Sequence, residues 1–219
     1  MEFDLGLGEW IIIGVSAFLF IWYFAANSFN RRRGIAIYRW LYKAHEELEG
    51  NLHAEWIGSS NAGARLHVEK ASKPFRRVES IYLLEPREFL PYWIFSRLRA
   101  KRDEVIIKIT LRIAPKELVA ISRIGDPKPD LILGAQKSYD SSSEFVKYGF
   151  QFQYVGGDQE YFLNEVEPFL LDQVESLSAL ELRSIAPHLE IRLKPSPLLR
   201  TVPDKFYEPL SVWLQGERP

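Results

Sequence analysis

One uncharged apolar stretch near the start of the chain constrains its fold more than any other feature. Residues 10–26 read WIIIGVSAFLFIWYFAA and contain no charged side chain. As an α-helix rising 1.5 Å per residue, this stretch is roughly 26 Å long, close to the bilayer hydrocarbon thickness of about 30 Å. Trp10 lies at one end and Trp22 near the other, where interfacial aromatic residues are common. The stretch predicts a transmembrane helix, which we assign to residues 10–28.

The charges on the two sides of this stretch predict its orientation. Residues 1–9 contain three acidic residues and no basic residue, whereas Arg31, Arg32 and Arg33 follow the stretch closely. The positive-inside rule places the arginines in the cytosol, so we expect a short extracytosolic N-terminus. A cleaved signal peptide is the alternative, but such peptides begin with a basic region, which is missing here. We therefore expect a permanent single-pass anchor with a cytosolic body.

The rest of the chain has the composition of a folded domain. The sequence is 26% charged and 14% aromatic and contains no cysteine. These values argue against long disordered segments and exclude disulfides and thiol chemistry. Residues 31–112 contain 17 basic and 10 acidic residues, and residues 113–219 contain 11 basic and 16 acidic residues. A basic half beside the anchor suits an anionic membrane surface or ribosomal RNA.

Hydrophobic periodicity predicts an α+β domain with a mainly antiparallel sheet over residues 53–219. Residues 29–52 are predicted as a juxtamembrane helix, because apolar residues recur every three or four positions. Alternating residues at 105–113 and at 145–155 each predict one strand. The other predicted strands are 53–60, 64–70, 78–84, 118–123, 179–184 and 188–193, and residues 130–136 are either a short strand or the start of a helix. The other predicted helices are 159–177 and 204–214. Pro168 would kink or divide the first of these.

An aromatic and basic segment at residues 86–102 predicts an amphipathic helix. It reads PREFLPYWIFSRLRAKR and is too short to cross a bilayer. Such a helix either lies in the headgroup region or packs against the sheet with its basic end in water, and the sequence leaves both open. Its candidate interfacial apolar residues are Phe89, Tyr92, Trp93, Ile94, Phe95 and Leu98. The candidate basic residues facing lipid or ribosome are Arg31, Arg32, Arg33, Arg97, Arg99, Lys101 and Arg102.

Motifs for catalysis or metal binding are incomplete in this sequence. His45, Glu49 and His53 fall at spacings of four and would share one helix face, as metal ligands sometimes do. Gly50 and Asn51 interrupt that helix, however. The sequence contains neither a P-loop nor a G-x-G-x-x-G motif. We therefore expect no metal, no cofactor and no enzymatic activity.

The order of these features resembles the calumin family. The resemblance extends over most of residues 10–195. Three stretches carry it: residues 87–98 running into 103–111, residues 130–137, and residues 169–177 followed after a variable strand by 187–189. Calumin is the single-pass subunit of the PAT complex, the intramembrane chaperone of the endoplasmic reticulum multipass translocon. The family's long acidic lumenal region is reduced here to nine residues. Its lysine-rich tail, which approaches the ribosome, has no counterpart, so the resemblance suggests a short relative, for example an archaeal one.

This resemblance implies a non-enzymatic factor that assists insertion and assembly of multipass membrane proteins beside the Sec translocon. The expected partners are membrane lipids, a small multispanning protein, the Sec translocon and, less strongly, the ribosome, but not DNA. Gly14, Ser16 and Ala17 would let the anchor pack closely against a partner helix. The membrane would be the cell membrane in a prokaryote and the endoplasmic reticulum in a eukaryote. The alternative functions are a scaffold on anionic lipid, a subunit of another membrane complex and, as the weakest, a membrane-anchored hydrolase or metal enzyme.

Overall fold

A computed structural model describes residues 6–99, 101–125, 143–155 and 158–215 of the protein. Within these ranges, a long apolar helix precedes a nine-stranded antiparallel sheet and several shorter helices. This arrangement confirms the predicted α+β class. The element predicted at 130–136 lies outside the described residues.

The described helices and strands follow one another along the chain, and the sheet includes every strand. The helices are α1 (Leu7–Glu46), α2 (Leu90–Leu98), α3 (Gln159–Asp172), α4 (Pro195–Leu198) and α5 (Tyr207–Gln215), with a 3₁₀ turn at Pro203–Lys205. The strands are β1 (Asn51–Trp56), β2 (Gly63–Glu69), β3 (Phe75–Leu83), β4 (Glu104–Leu111), β5 (Leu118–Arg123), β6 (Ser143–Lys147), β7 (Phe150–Val155), β8 (Leu177–Leu182) and β9 (Leu189–Leu193). Their spatial order is β1-β2-β3-β4-β9-β8-β5-β7-β6, and each neighbouring pair is antiparallel.

The alternation of apolar residues in the strands builds one face of the core. In β4 the side chains of Val105, Ile107, Ile109 and Leu111 are buried, as the periodicity predicted. Ile113 was expected on the same face, but it follows the end of β4 and is exposed. The second half of α1 contributes Ile37, Leu41 and Ala44 to the same core cluster, and Leu48 joins this cluster just after the helix ends. Each fully buried Leu or Ile stabilises the fold by about 1.5–3 kcal/mol.

Helix α1 is longer than the predicted anchor and ends earlier than the predicted juxtamembrane helix. It runs unbroken through residues 28 and 29, so the two predicted helices are one element. It ends at Glu46 because Glu49 adopts a positive φ of 52°, which is incompatible with a right-handed helix. A Cβ atom at Gly50 would overlap the Val68 side chain and the Glu69 backbone, so the chain passes close to β2 there. The last two residues of the predicted helix therefore belong to β1.

Residues 145–155 form a hairpin instead of one strand. Tyr148 and Gly149 both have positive φ, 54° and 78°, as a two-residue type I′ turn requires. The reversal pairs β6 with β7 and stacks Phe145 on Phe152, with ring centroids 4.7 Å apart. Val146, which was predicted to share the face of the buried residues of β7, therefore points to the other side and is exposed.

The predicted helix at 159–177 is shorter than expected. It begins after Asp158, whose carboxylate accepts hydrogen bonds from two backbone N–H groups of the first turn. Pro168 lies inside α3, and no second helix begins there. Burial of Phe169 and Leu170 next to Pro168 offsets the lost backbone hydrogen bond. Residue Leu177, placed in this helix by the sequence, is the first residue of β8.

Candidate functional site

The first half of α1 projects from the domain. Every residue from Leu7 to Ile21 is exposed, and apolar side chains lie on all sides of the helix. Among the described residues, α1 is the one helix long and apolar enough to cross a membrane. A helix that is apolar all round requires an apolar environment, because water-exposed apolar patches of this size are rare in soluble monomers.

Where α1 meets the sheet, a buried polar network binds it to the connection between β3 and β4. Two Nη atoms of Arg87 donate to the two carboxylate oxygens of Asp103, each at 2.9 Å, and Arg33 Nε donates to Asp103 Oδ2 at 2.5 Å. The side chain of Asn30 accepts from Arg87 and donates to the Glu85 carbonyl oxygen at 2.8 Å. The backbone N–H of Glu85 donates to Asp103 Oδ1 at 2.8 Å. The Asp103 carboxylate thus joins α1, the segment after β3 and the segment before β4.

This network keeps Asp103 ionised. Burial by itself raises the pKa of the Asp103 carboxyl, but the hydrogen bonds from Arg87 and from the Glu85 backbone, with the charges of Arg87 and Arg33, lower it below its ordinary value. Once formed, a buried ion-pair network of one carboxylate and two guanidinium groups is costly to break. The network therefore fixes the direction in which α1 leaves the domain.

Helix α2 lies beside the same part of α1. The rings of Trp93 and Trp22 are 5.4 Å apart, and the Trp93 indole N–H donates to Glu85 Oε2 at 2.6 Å. The Trp22 indole N–H donates to the Arg87 carbonyl oxygen at 2.9 Å. Ser96 is the one buried residue of α2. Apart from Ser96, the side chains of α2 therefore lie outside the buried core.

Most of the residues predicted as interfacial are exposed, on α2 or, for Phe89, directly before it. Leu98 is 81% exposed, and the other exposed members of the set are Phe89, Tyr92, Ile94 and Phe95. Trp93 differs from them, because it lies partly buried between α2 and α1. We call the five exposed residues the α2 surface. The Trp22–Trp93 contact lies between this surface and the exposed part of α1.

The predicted basic residues differ in their exposure and in their contacts. Arg31 and Arg32 are exposed directly after the apolar segment, whereas Arg33 belongs to the buried network. The Arg97 guanidinium lies over the Trp93 ring and 3.5 Å from Glu85, and the Arg99 guanidinium lies over the Phe95 ring. Lys101 and Arg102 are exposed at the end of α2. The exposed cations thus border the α2 surface on one side.

The small residues proposed as a helix-packing face lie on the exposed part of α1. Apart from the backbone of the helix itself and the two adjoining residues, no atom lies within 4 Å of a Cβ built on Gly14. A regular helix turns about 100° per residue, so Ala17 lies on the side of Gly14, and Ser16 lies roughly opposite. The three residues therefore do not share one face.

The three residues considered as metal ligands are separated. The His45 ring is buried; its Nδ1–H donates to the Leu41 carbonyl oxygen at 2.7 Å, and its Nε2 accepts from Ser80 Oγ at 3.0 Å. Burial lowers the pKa of His45 to about 4, although the bond to Leu41 opposes the shift. His53 lies on β1, and Glu49 lies beyond the end of α1. In the ranges that the structure describes, no three His, Asp or Glu side chains are grouped to hold a metal.

The comparisons with known proteins give no assignment. No family model matches the chain, and no curated protein matches it significantly. The geometry therefore has to indicate the function. The described residues combine an exposed apolar helix, an adjoining aromatic surface and a basic border.

Proposed function

We propose that this protein is a single-pass membrane protein with residues 10–28 in the bilayer and its folded domain on the cytosolic side. The exposed apolar half of α1 carries this proposal. Arg31 and Arg32, exposed directly after that segment, support the orientation through the positive-inside rule. The buried network around Asp103 would hold the domain at a fixed angle to the membrane.

The α2 surface would rest in the headgroup region. Trp93, next to this surface, contacts Trp22 near the end of the apolar segment, where a bilayer interface would lie. The aromatic and aliphatic side chains of the α2 surface would enter the boundary between headgroups and acyl chains. Arg99, Lys101 and Arg102 would then each gain about 1 kcal/mol from anionic headgroups. A scaffold on anionic lipid is the second candidate function, and this basic border favours it.

As the more specific function, we propose a non-enzymatic factor that assists multipass membrane-protein insertion and assembly beside the Sec translocon. The resemblance to the calumin family supports this part. The exposed surfaces of α1 and α2 support it physically, because they offer a rigid pair of helices to a small multispanning partner. The membrane would be the cell membrane or the endoplasmic reticulum, according to the organism.

The absence of cysteine allows a direct test of the membrane arrangement. The variants Gly6→Cys and Val212→Cys place a thiol at the exposed start of α1 and on the exposed face of α5. In cells with an intact membrane, an impermeant maleimide should label the first variant and reach the second only after permeabilisation. Labelling of the second variant in intact cells would refute the orientation. Release of the protein by alkaline carbonate would refute the anchor.

A second thiol experiment tests the position of α2. An environment-sensitive fluorophore on Leu98→Cys should shift to the blue in nanodiscs, relative to the protein in a detergent-free amphipol, and be quenched by lipids brominated near the headgroup. Val212→Cys is the matched control, because Val212 is also an exposed apolar residue, 64% accessible, on α5. Equal quenching of the two variants, or no quenching of either, would contradict the position of α2.

Crosslinking separates the two candidate functions. With a photoreactive residue at Leu98 or Ile13, the translocon proposal expects crosslinks to Sec channel subunits or to one small multispanning protein. A lipid scaffold expects crosslinks to lipid alone. Recovery of lipid alone at both positions would reject the translocon proposal and leave the anchor in place.

A further inference from the structure

A basic cleft lies at the far end of the sheet from the exposed half of α1. Its volume is about 420 Å³, and it is lined by Glu69, Lys70, Arg76, Arg77 and Arg112. Glu69 ends β2, Lys70 follows it, Arg76 and Arg77 lie at the start of β3, and Arg112 directly follows β4. Four cations therefore surround one space with a single carboxylate.

One guanidinium in this cleft is held in place by the backbone. Arg112 Nε donates to the Phe75 carbonyl oxygen at 3.1 Å, and its Nη2 donates to the Ala71 carbonyl oxygen at 2.8 Å. The loop between β2 and β3, which contains Ala71, is attached to the segment just after α1, because the Ser72 N–H donates to the Leu48 carbonyl oxygen at 2.7 Å. Arg112 is thus preorganised, which reduces the conformational entropy lost when a ligand binds.

The other cations lack strong partners in the described part of the chain. Neither Lys70 nor Arg76 has a carboxylate within ion-pair distance there, and Arg77 has only Glu79 at 3.8 Å. Lys70 adopts a positive φ of 55°, a conformation uncommon for residues other than Gly. Mutual repulsion between the cations opposes this arrangement, and an anion in the cleft would relieve it.

The position of the cleft separates it from the lipid headgroups. The end of α1, next to β2 and the cleft, lies roughly 30 Å along the helix axis beyond the apolar segment, at 1.5 Å per residue from Ala26 to Glu46. Headgroups extend only about 5–8 Å beyond the hydrocarbon core, and charges are screened over about 8 Å at physiological salt. If α1 lies close to the membrane normal, a membrane that holds its exposed half therefore does not reach the cleft.

We propose that this cleft binds a soluble phosphate-bearing ligand. Guanidinium groups match phosphate oxygens in geometry and charge, and a preorganised Arg flanked by unpaired Lys and Arg provides several donors. The lining contains no aromatic side chain on which a base could stack, which argues against single-stranded nucleic acid. The binding of phosphate is argued from the cleft alone. The choice of a soluble phosphate over a lipid headgroup rests on the proposed membrane arrangement.

Calorimetry on the full chain tests this proposal. The protein is placed in nanodiscs of zwitterionic phosphatidylcholine and titrated with sodium pyrophosphate at low salt. The variant Lys70→Gln/Arg76→Gln removes the two cations without partners and leaves Arg112 in place. The matched control, Arg39→Gln/Lys43→Gln, removes one Arg and one Lys from the exposed side of α1. We expect the affinity to fall by about tenfold or more in the cleft variant, since a lost charge-assisted hydrogen bond is worth at least that factor, and to stay within about twofold in the control.

Three results would overturn the proposal. They are no measurable heat of pyrophosphate binding, equal loss of affinity in the two double variants, and equally strong binding of sulfate at matched ionic strength. A separate titration is carried out in nanodiscs that contain phosphatidylglycerol. Loss of pyrophosphate binding there would assign the cleft to lipid and overturn the soluble source. The thiol-labelling experiments are independent of these titrations, so failure of the cleft and failure of the anchor are distinguishable.

Discussion

The substitution Asp103→Ala should test the buried network more sharply than any other change. It removes the carboxylate that accepts from Arg33, from Arg87 and from the Glu85 backbone. The Asp103 side chain is 4% exposed and the Arg87 side chain 14% exposed, so water cannot replace the lost partner fully. Removing one member of a buried ion pair costs about 3–5 kcal/mol, and we expect the lower end because Arg33 is more accessible.

The measurement is thermal unfolding of the full chain in detergent. For a protein of this size, 1 kcal/mol lowers Tm by about 2–4 °C, so Asp103→Ala should lower Tm by about 6–12 °C. Glu175→Ala is the matched control, because its ion pair with Arg200 is almost fully exposed at 3.9 Å. Such a pair contributes about 0–1 kcal/mol, and its loss should lower Tm by less than about 4 °C. A similar change in the two variants would refute the idea that α1 is held by a buried charge network.

Acidification should weaken the same contact. Because the pKa of Asp103 is lower in the folded protein than in the unfolded chain, its carboxylate stabilises the fold above about pH 4. That contribution is lost as the pH falls through the folded-state pKa. Asp103→Ala should therefore be less sensitive than the native chain to pH below about 4. Parallel Tm curves for the two proteins down to about pH 2 would contradict this expectation.

Three further changes test the core and the course of α1. Burial lowers the pKa of His45 to about 4 in the folded protein, so the unfolded chain is protonated first as the pH falls. Between pH 7 and pH 4, the free energy of unfolding of the native chain should therefore fall by about 3 kcal/mol more than that of His45→Gln. Gly34→Ala should lower stability by about 1–3 kcal/mol, because its Cβ would overlap the Ser60 carbonyl oxygen. Leu41→Ala should cost about 2–5 kcal/mol through a cavity in the core, measured as a fall in Tm.

Each of these three changes has a control. The control for the His45 change is Gly14→Ala, which leaves the buried imidazole in place, so its loss of stability between pH 7 and pH 4 should match that of the native chain. Gly14→Ala should leave Tm unchanged or raise it, because the space around Gly14 is open and Ala favours a helix by about 1 kcal/mol. Leu7→Ala should not lower Tm, because Leu7 is exposed. A fall in Tm as large for Gly14→Ala as for Gly34→Ala would contradict the close approach at Ser60.

Local patterns were sufficient for several elements. The uncharged run predicted a long apolar helix, and the period of two predicted β4 with its buried face. Both depend on the side chains of neighbouring residues, which a sequence displays directly. The hairpin at 145–155 was missed because apolar residues alternate through Tyr148 and Gly149. Only the backbone dihedrals of those two residues distinguish a turn from a continuous strand.

The sequence by itself determined that this chain has one long apolar helix, an α+β domain and a basic aromatic segment beside them. Only the tertiary structure decided that Asn30, Arg33, Glu85, Arg87 and Asp103 meet, because they are up to 73 positions apart and no local pattern marks a distant partner. The same limit applies to the basic cleft, whose cations lie in β3 and in the segments directly after β2 and β4. Periodicity reports which side of an element faces the core, whereas burial of a charge depends on the partners that folding brings to it.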